Sequence, residues 1–138
     1  MQKRQQGGID SKGVFCPCPA GFFRLGNASW ICKEMVGSVK IGVCDLFLKI
    51  IGAIQKIELL EIGEQMVQGR VCAKFETENE LVHNLLAPVS GSIVARNENV
   101  SENYNLLIKD AYNEGWLYQV FPDNLVEEIK ILKKDPPV

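Results

Sequence analysis

From Ile54 to Ile93 the chain reads as a succession of short strands. Ile57 and Leu59 alternate with polar neighbours, the period-two pattern that buries one face of a strand and wets the other. Gly63 and Gly69 bracket Glu64-Gln65-Met66-Val67-Gln68 as turn, strand and turn. Lys74 to Glu80 and Leu81 to Leu86 flank a tip. Pro88 then interrupts ladder bonding, as at a strand start or edge, and Gly91 turns the chain again. Periodicity alone therefore gives a mainly β chain in one domain.

The flanks add strands and peripheral helices. Trp30-Ile31-Cys32 and Val39-Lys40-Ile41 form a hairpin about a turn near Val36-Gly37. Helices are expected near 45–51, 98–107 and 124–133. Asp45 would cap the first, Gly52 would end it, and Leu46, Phe47 and Ile50 would face the core. Asn99 or Ser101 would cap the second, with Leu106 and Leu107 inward. In the third, Leu125 or Val126, Ile129 and Leu132 recur at helical spacing. Lys133 and Lys134 suit the negative end of its dipole. Trp116 to Phe121 returns to alternation, with Trp116, Tyr118 and Val120 on one face.

Composition removes several function classes. At 138 residues one domain with an ordinary core is expected. A net charge of −2 argues against nucleic acid as a partner, since such proteins show a basic face. Met1 to Gly13 has no apolar run behind Lys3 and Arg4 and does not read as a secretory signal. Ile41 to Ile54, the most apolar run, is broken by Asp45 and Lys49 and is too short to span a membrane. A cytoplasmic setting follows, in which the five cysteines stay reduced.

Four stretches carry a family resemblance. Val39-Lys40-Ile41-Gly42-Val43-Cys44-Asp45-Leu46-Phe47 is similar to Val-x-Val-Gly-Ile-Thr-Asp-Phe-Ala, and Ile57-Glu58-Leu59-Leu60-Glu61-Ile62-Gly63 to Val-Glu-Leu-Pro-Glu-Val-Gly. Asn97-Glu98-Asn99-Val100 through Leu106-Leu107 resembles Asn-Glu-Ala-Leu followed by Leu-Leu. Asp110-Ala111-Tyr112-Asn113-Glu114-Gly115-Trp116-Leu117 resembles Asp-Pro-Tyr-Gly-Glu-Gly-Trp-Leu. With Ala87-Pro88-Val89-Ser90-Gly91, these mark the H-protein family of the glycine cleavage system over residues 22 to 134. The family's His-x-Trp reads Ala28-Ser29-Trp30 here.

The resemblance implies a lipoyl-domain-like barrel-sandwich hybrid, mainly β with peripheral helices, over 21–134. Residues 1–20 would be a flexible lead-in and 135–138 a tail. It also implies a carrier rather than an enzyme. In the family a hairpin lysine, in the pattern Glu-Ser-Val-Lys-Ala, holds lipoate by an amide. The arm visits glycine decarboxylase, the aminomethyltransferase and dihydrolipoamide dehydrogenase in turn. Here that lysine is missing. Counting back from Ala87-Pro88-Val89-Ser90-Gly91 puts the position on Glu80; counting forward from Gly69 and Glu76 puts it on Asn79, because the hairpin has one extra residue. No bound cofactor is expected in consequence. The main reading is a homologue that has lost lipoylation and acts by protein–protein binding, with glycine cleavage or lipoate-handling enzymes as partners and neither nucleic acid nor membrane.

The remaining candidates each have a plainer reading beside the functional one. Glu76 and Thr77 match the hairpin positions that guide the lipoylating enzyme; without the lysine, Glu76 reads as an exposed strand carboxylate. Glu76, Glu78 and Glu80 at period two would share one wet face, an acidic docking patch or simply a solvated surface. Lys74, the nearest lysine, is a displaced attachment site or a solvated strand residue. His83 is the sole histidine, with no partners that make a catalytic set, and reads as structural. Cys16 and Cys18 make a Cys-x-Cys pair suited to redox or a soft metal, or incidental thiols; four-coordinate zinc lacks paired ligands elsewhere, so no metal site is assigned. Cys32, Cys44 and Cys72 read as small core residues.

Overall fold

Strand alternation resolves into two antiparallel sheets folded over one core. The structure, a computed structural model, describes residues 22–135. The larger sheet contains β1 (Phe22–Leu25), β2 (Ser29–Lys33), β3 (Val39–Val43), β5 (Gln65–Met66), β8 (Gly91–Arg96), β9 (Tyr118–Pro122) and β10 (Lys133–Asp135). Its order is β10-β1-β2-β3-β9-β8-β5. The smaller sheet places β6 (Val71–Thr77) between β4 (Ile54–Leu59) and β7 (Val82–Leu86). This is the expected barrel-sandwich arrangement, with unequal rather than matched sheets.

Ile31, Val39, Ile41, Phe75, Leu85, Ile93, Leu117 and Val120 fill the space between the sheets and are sealed from solvent. Tyr118 joins the layers by hydrogen bonds as well as packing. Its hydroxyl accepts from the Leu60 amide at 2.8 Å and donates to the Cys72 carbonyl at 2.5 Å. Burial pushes this phenol's pKa upward, since a phenolate there would lose its hydration.

A second cluster lies behind β2. Trp30 forms a triangle of rings with Phe22 and Tyr112, tilted to both with centroids 4.9 and 6.0 Å away. Its indole N–H is shared by the Val43 and Ala111 carbonyls, at 3.2 Å each. Gly42 is required beneath it, because a Cβ there would run into the indole ring.

The helices depart from expectation in three places. α1 (Asp45–Ile51) has the expected bounds and ends at Gly52, whose φ of 86° suits glycine. Cys44 rather than Asp45 occupies the cap position, and Asp45 sits in the first turn, 3.6 Å from Lys49. Leu48 is the buried residue, with Phe47 and Ile51 packed beside it, while Ile50 points to solvent. The expected helix over 98–107 is two, α2 (Glu98–Glu102) and α3 (Asn105–Lys109). Asn97, not Asn99 or Ser101, caps α2 by accepting from the Asn99 amide. Asn103 is extended, and its side-chain oxygen receives the Asn105 amide as α3 begins. The break lets both Val100 and Leu107 reach the core.

The expected helix over 124–133 shortens to α4 (Leu125–Glu128) and a 3-10 turn over Ile129–Ile131. The chain then extends as β10, pairing Lys133 with Arg24 and Lys134 with Phe23. Ladder bonds along the open edge of β1 outweigh the helical spacing of the apolar residues. Lys133 and Lys134 are therefore strand residues, not the end of a helix.

Candidate functional site

β6 and β7 form the hairpin singled out by the sequence. Phe75 pairs with His83 and Glu76 with Val82, and the Thr77 amide closes the ladder on the Leu81 carbonyl at 2.9 Å. Between them Glu78–Glu80 form a single 3-10 turn. Glu80 ends that turn with φ 61°, the one non-glycine residue with positive φ among those described. Left-handed backbone costs an L-residue about 1–2 kcal/mol. The chain thus reverses through a tight turn and one strained position.

That turn overturns the expected line of carboxylates. Glu76 remains on the strand, half-buried, while Glu78 and Glu80 leave it and stand exposed on the 3-10 turn. Exposed Leu81 completes the tip. Thr77 points inward: it is 4% exposed, and its hydroxyl lies 3.1 Å from His83 Nε2. These two residues tie the hairpin's strands together. Lys74 is exposed but central, paired across the sheet with Glu58 on one side and Asn84 on the other.

The base of the hairpin is built differently. Ala87 and Val89 are fully buried, and Ser90 is a hydrogen-bond hub. Its amide and hydroxyl donate to the two oxygens of Glu128 at 2.7 and 2.6 Å. The hydroxyl also accepts from the Gln68 amide at 2.9 Å, and the Ser90 carbonyl receives the Asp123 amide at 3.0 Å. The Gln68 side chain donates to the carbonyls of Pro88 and Glu128. Gln68 and Glu128 were not foreseen from the sequence. Only the Ala-Pro-Val-Ser-Gly motif hinted at a constrained base, and it does not reveal partners 22 and 38 residues away.

Cys72 is buried, and burial pushes its thiol pKa up to about 12. Cys44 is also buried; Cys32 is only partly so, not the core residue expected. Burial and the charge of Glu34 raise the Cys32 pKa, against the opposing pull of Lys40. Thiolate at Cys32 and Cys72 is disfavoured, so nucleophilic chemistry there is suppressed. Cys16 and Cys18 lie outside the described residues. Among the described residues no three His, Cys, Asp or Glu side chains gather as a metal group. No described helix is long and apolar enough to cross a membrane.

Comparison with known families matches residues 23–136 to the glycine cleavage H-protein. The chain belongs to the glycine cleavage H-protein family. Among its relatives, the glycine cleavage system H protein of Shewanella frigidimarina (strain NCIMB 400) is 30% identical over 117 residues, covering 85% of this chain and 90% of the relative. That of Shewanella sp. (strain W3-18-1) is 34% identical over 98 residues, covering 71% and 75%. A solved glycine cleavage system H protein from Mycobacterium marinum superposes with a TM-score of 0.67 at 28% identity, covering 75% of this chain and 85% of that one. H-proteins are carriers rather than catalysts, and lipoate is the cargo arm of the family.

Proposed function

We propose that this H-protein family member is not lipoylated and acts by binding other proteins. One observation carries the reading. The tip offers Glu78, Asn79 and Glu80 where the family pattern has a lysine. Forming a lipoyl amide requires an amine to attack the activated acyl group, and carboxylates and a carboxamide supply none. The base motif is kept, with its partly buried hydrogen-bond hub at Ser90. A scaffold retained without its acyl acceptor fits a role in recognition. Partners are sought among glycine cleavage or lipoate-handling enzymes that contact H-protein surfaces, in the cytoplasm.

Lys74 gives the competing outcome little support. It lies three residues before the end of β6, roughly 10 Å from the tip at strand rise. Strands pair on both sides of it, with Glu58 directly across, an arrangement that suits a solvated charge ladder.

Intact mass tests the proposal. Protein isolated from its native host, and protein incubated with lipoate ligase, ATP and lipoate, should both show the unmodified mass. Asn79→Lys and Glu80→Lys supply the missing amine and are the variants in which modification is expected to return. A lipoylated wild-type chain would sink the proposal, and loss of that mass in Lys74→Arg would identify the displaced site.

A further inference from the structure

The outer face of the larger sheet is covered on one half and bare on the other. Over β1, β2 and β3 lie Tyr112 and Trp116, packed against Trp30 and Phe22. On β9, β8 and β5, by contrast, Gln65, Ser92, Val94 and Phe121 are exposed. Tyr118, Val120, Ile93 and Met66 turn into the core there. Strand alternation therefore sends Gln119, Phe121, Ser92 and Gln65 outward, while Val94 sits in a register shift between Ile93 and Ala95. The register sets Gln65, Ser92 and Phe121 in one row across three strands. Phe121 is 49% exposed and Val94 37%.

The β2–β3 turn extends this surface. Gln119 Nε2 reaches Glu34 at 2.9 Å and Ser38 at 3.2 Å, which fixes the turn beside β9. At its apex Met35 is wholly exposed and Val36 is 76% exposed. Single exposed apolar side chains need no explanation. Phe121 and Val94 lie on neighbouring strands, and Met35 and Val36 on the turn that Gln119 holds beside them.

The rim is acidic. Glu61, Glu64, Glu98 and Asp123 stand around the β5–β8 side, all exposed. One cation is placed among them: Arg96 lies 3.5 Å from Glu61 and 3.2 Å from Glu98, and donates to the Leu60 carbonyl. Four carboxylates against one guanidinium leave excess negative charge. Lys40, on the border with the covered half, is held 3.9 Å from Glu34 and over the Trp116 ring.

We infer that this bare half-face, centred on Phe121, docks a protein partner that presents an apolar side chain flanked by lysine or arginine. An aromatic anchor in an apolar centre with a charged rim is the usual anatomy of a binding surface. The sign of the rim selects the partner's charge. A second copy of this chain fits poorly, because a twofold pairing would oppose two acidic rims. The inference rests on the protein-binding part of the proposed function, and not on the missing lysine.

The test places a photoreactive benzoylphenylalanine at position 121 of the full chain in its source cells. Irradiation should give an adduct with another protein, joined at a surface containing Lys or Arg. That protein, purified, should bind wild type and lose roughly tenfold or more in affinity to Phe121→Ala, as for an aromatic hot spot. Ser92→Arg, an exposed substitution in the same row, should also weaken it by adding a repelling charge. Rising salt should weaken wild-type binding. Thermal melts of both variants separate misfolding from lost contact. The inference is overturned by an absent adduct, by an adduct with residues 1–21 or with a second copy, or by affinity indifferent to both variants. Mass of the same cellular protein reports lipoylation separately. A lipoylated chain that still docks through Phe121 would defeat the proposed function and uphold this inference.

Discussion

The two ends of the β6–β7 hairpin are under opposite constraints. At the base, the side chain and backbone of Ser90 are engaged by Glu128, Gln68 and Asp123, and the flanking Ala87 and Val89 are sealed in the core. At the tip, Glu78, Glu80 and Leu81 stand in solvent. Among the described residues no hydrogen-bond hub depends on the exposed tip side chains, whereas the base side chains hold several neighbours in place. A substitution at the tip should therefore cost the scaffold less stability than one at the base.

Substitutions at the two ends test that contrast. The largest effect belongs to Gly91→Ala at the base, where a Cβ would press on the Phe121 carbonyl and on Val120. Backbone cannot yield there cheaply, and overpacking of this kind costs about 3 kcal/mol. A urea midpoint equal to wild type would show that the base is looser than described. Ser90→Ala should follow, losing about 2 kcal/mol, because the Gln68 amide and one Glu128 oxygen lose their partner in a partly buried site. Glu128→Gln should lose less, since it keeps one acceptor.

Alkali should strike the base side before the tip. The Cys72 and Tyr118 pKa values are raised by burial, so the folded state holds protons that the unfolded chain releases. Their contribution is whole below about pH 9, the ordinary thiol value, and is lost as pH climbs toward about 12. Each group should cost on the order of 1 kcal/mol per pH unit within its window. Denaturation midpoints between pH 8 and 11 should fall, and Cys72→Ala should flatten the decline. The smallest effect is at the tip: Glu80→Gly should gain about 0.5–1 kcal/mol by relieving left-handed strain. A loss there would mean that the Glu80 side chain holds the turn.

The sequence was most legible where a single strand or turn explained itself. Gly52, the β2–β3 hairpin and the alternation of Tyr118 and Val120 all follow from local chemistry. It was least legible where a distant partner decides. The run Asn124 to Lys133 has helical spacing, yet β1 presents an unpaired edge and draws Lys133 to Asp135 into a strand. Glu76, Glu78 and Glu80 alternate on paper, but the two-strand connection must reverse direction there, and the 3-10 turn breaks the alternation. The Ser90 hub had no local signature for its partners, because Glu128 lies 38 residues further along the chain and reaches it only through the fold.

The Tyr118 hydroxyl has a consequence for how the molecule breathes. It holds the Leu60 amide proton from one layer while standing on a strand of the other. That proton exchanges with solvent deuterium when this bond between the layers opens. Its exchange rate therefore clocks separation of the sheets, whereas amides at the Glu78–Glu80 turn report local fraying. The hairpin tip can flicker open many times while the clock at Leu60 does not advance.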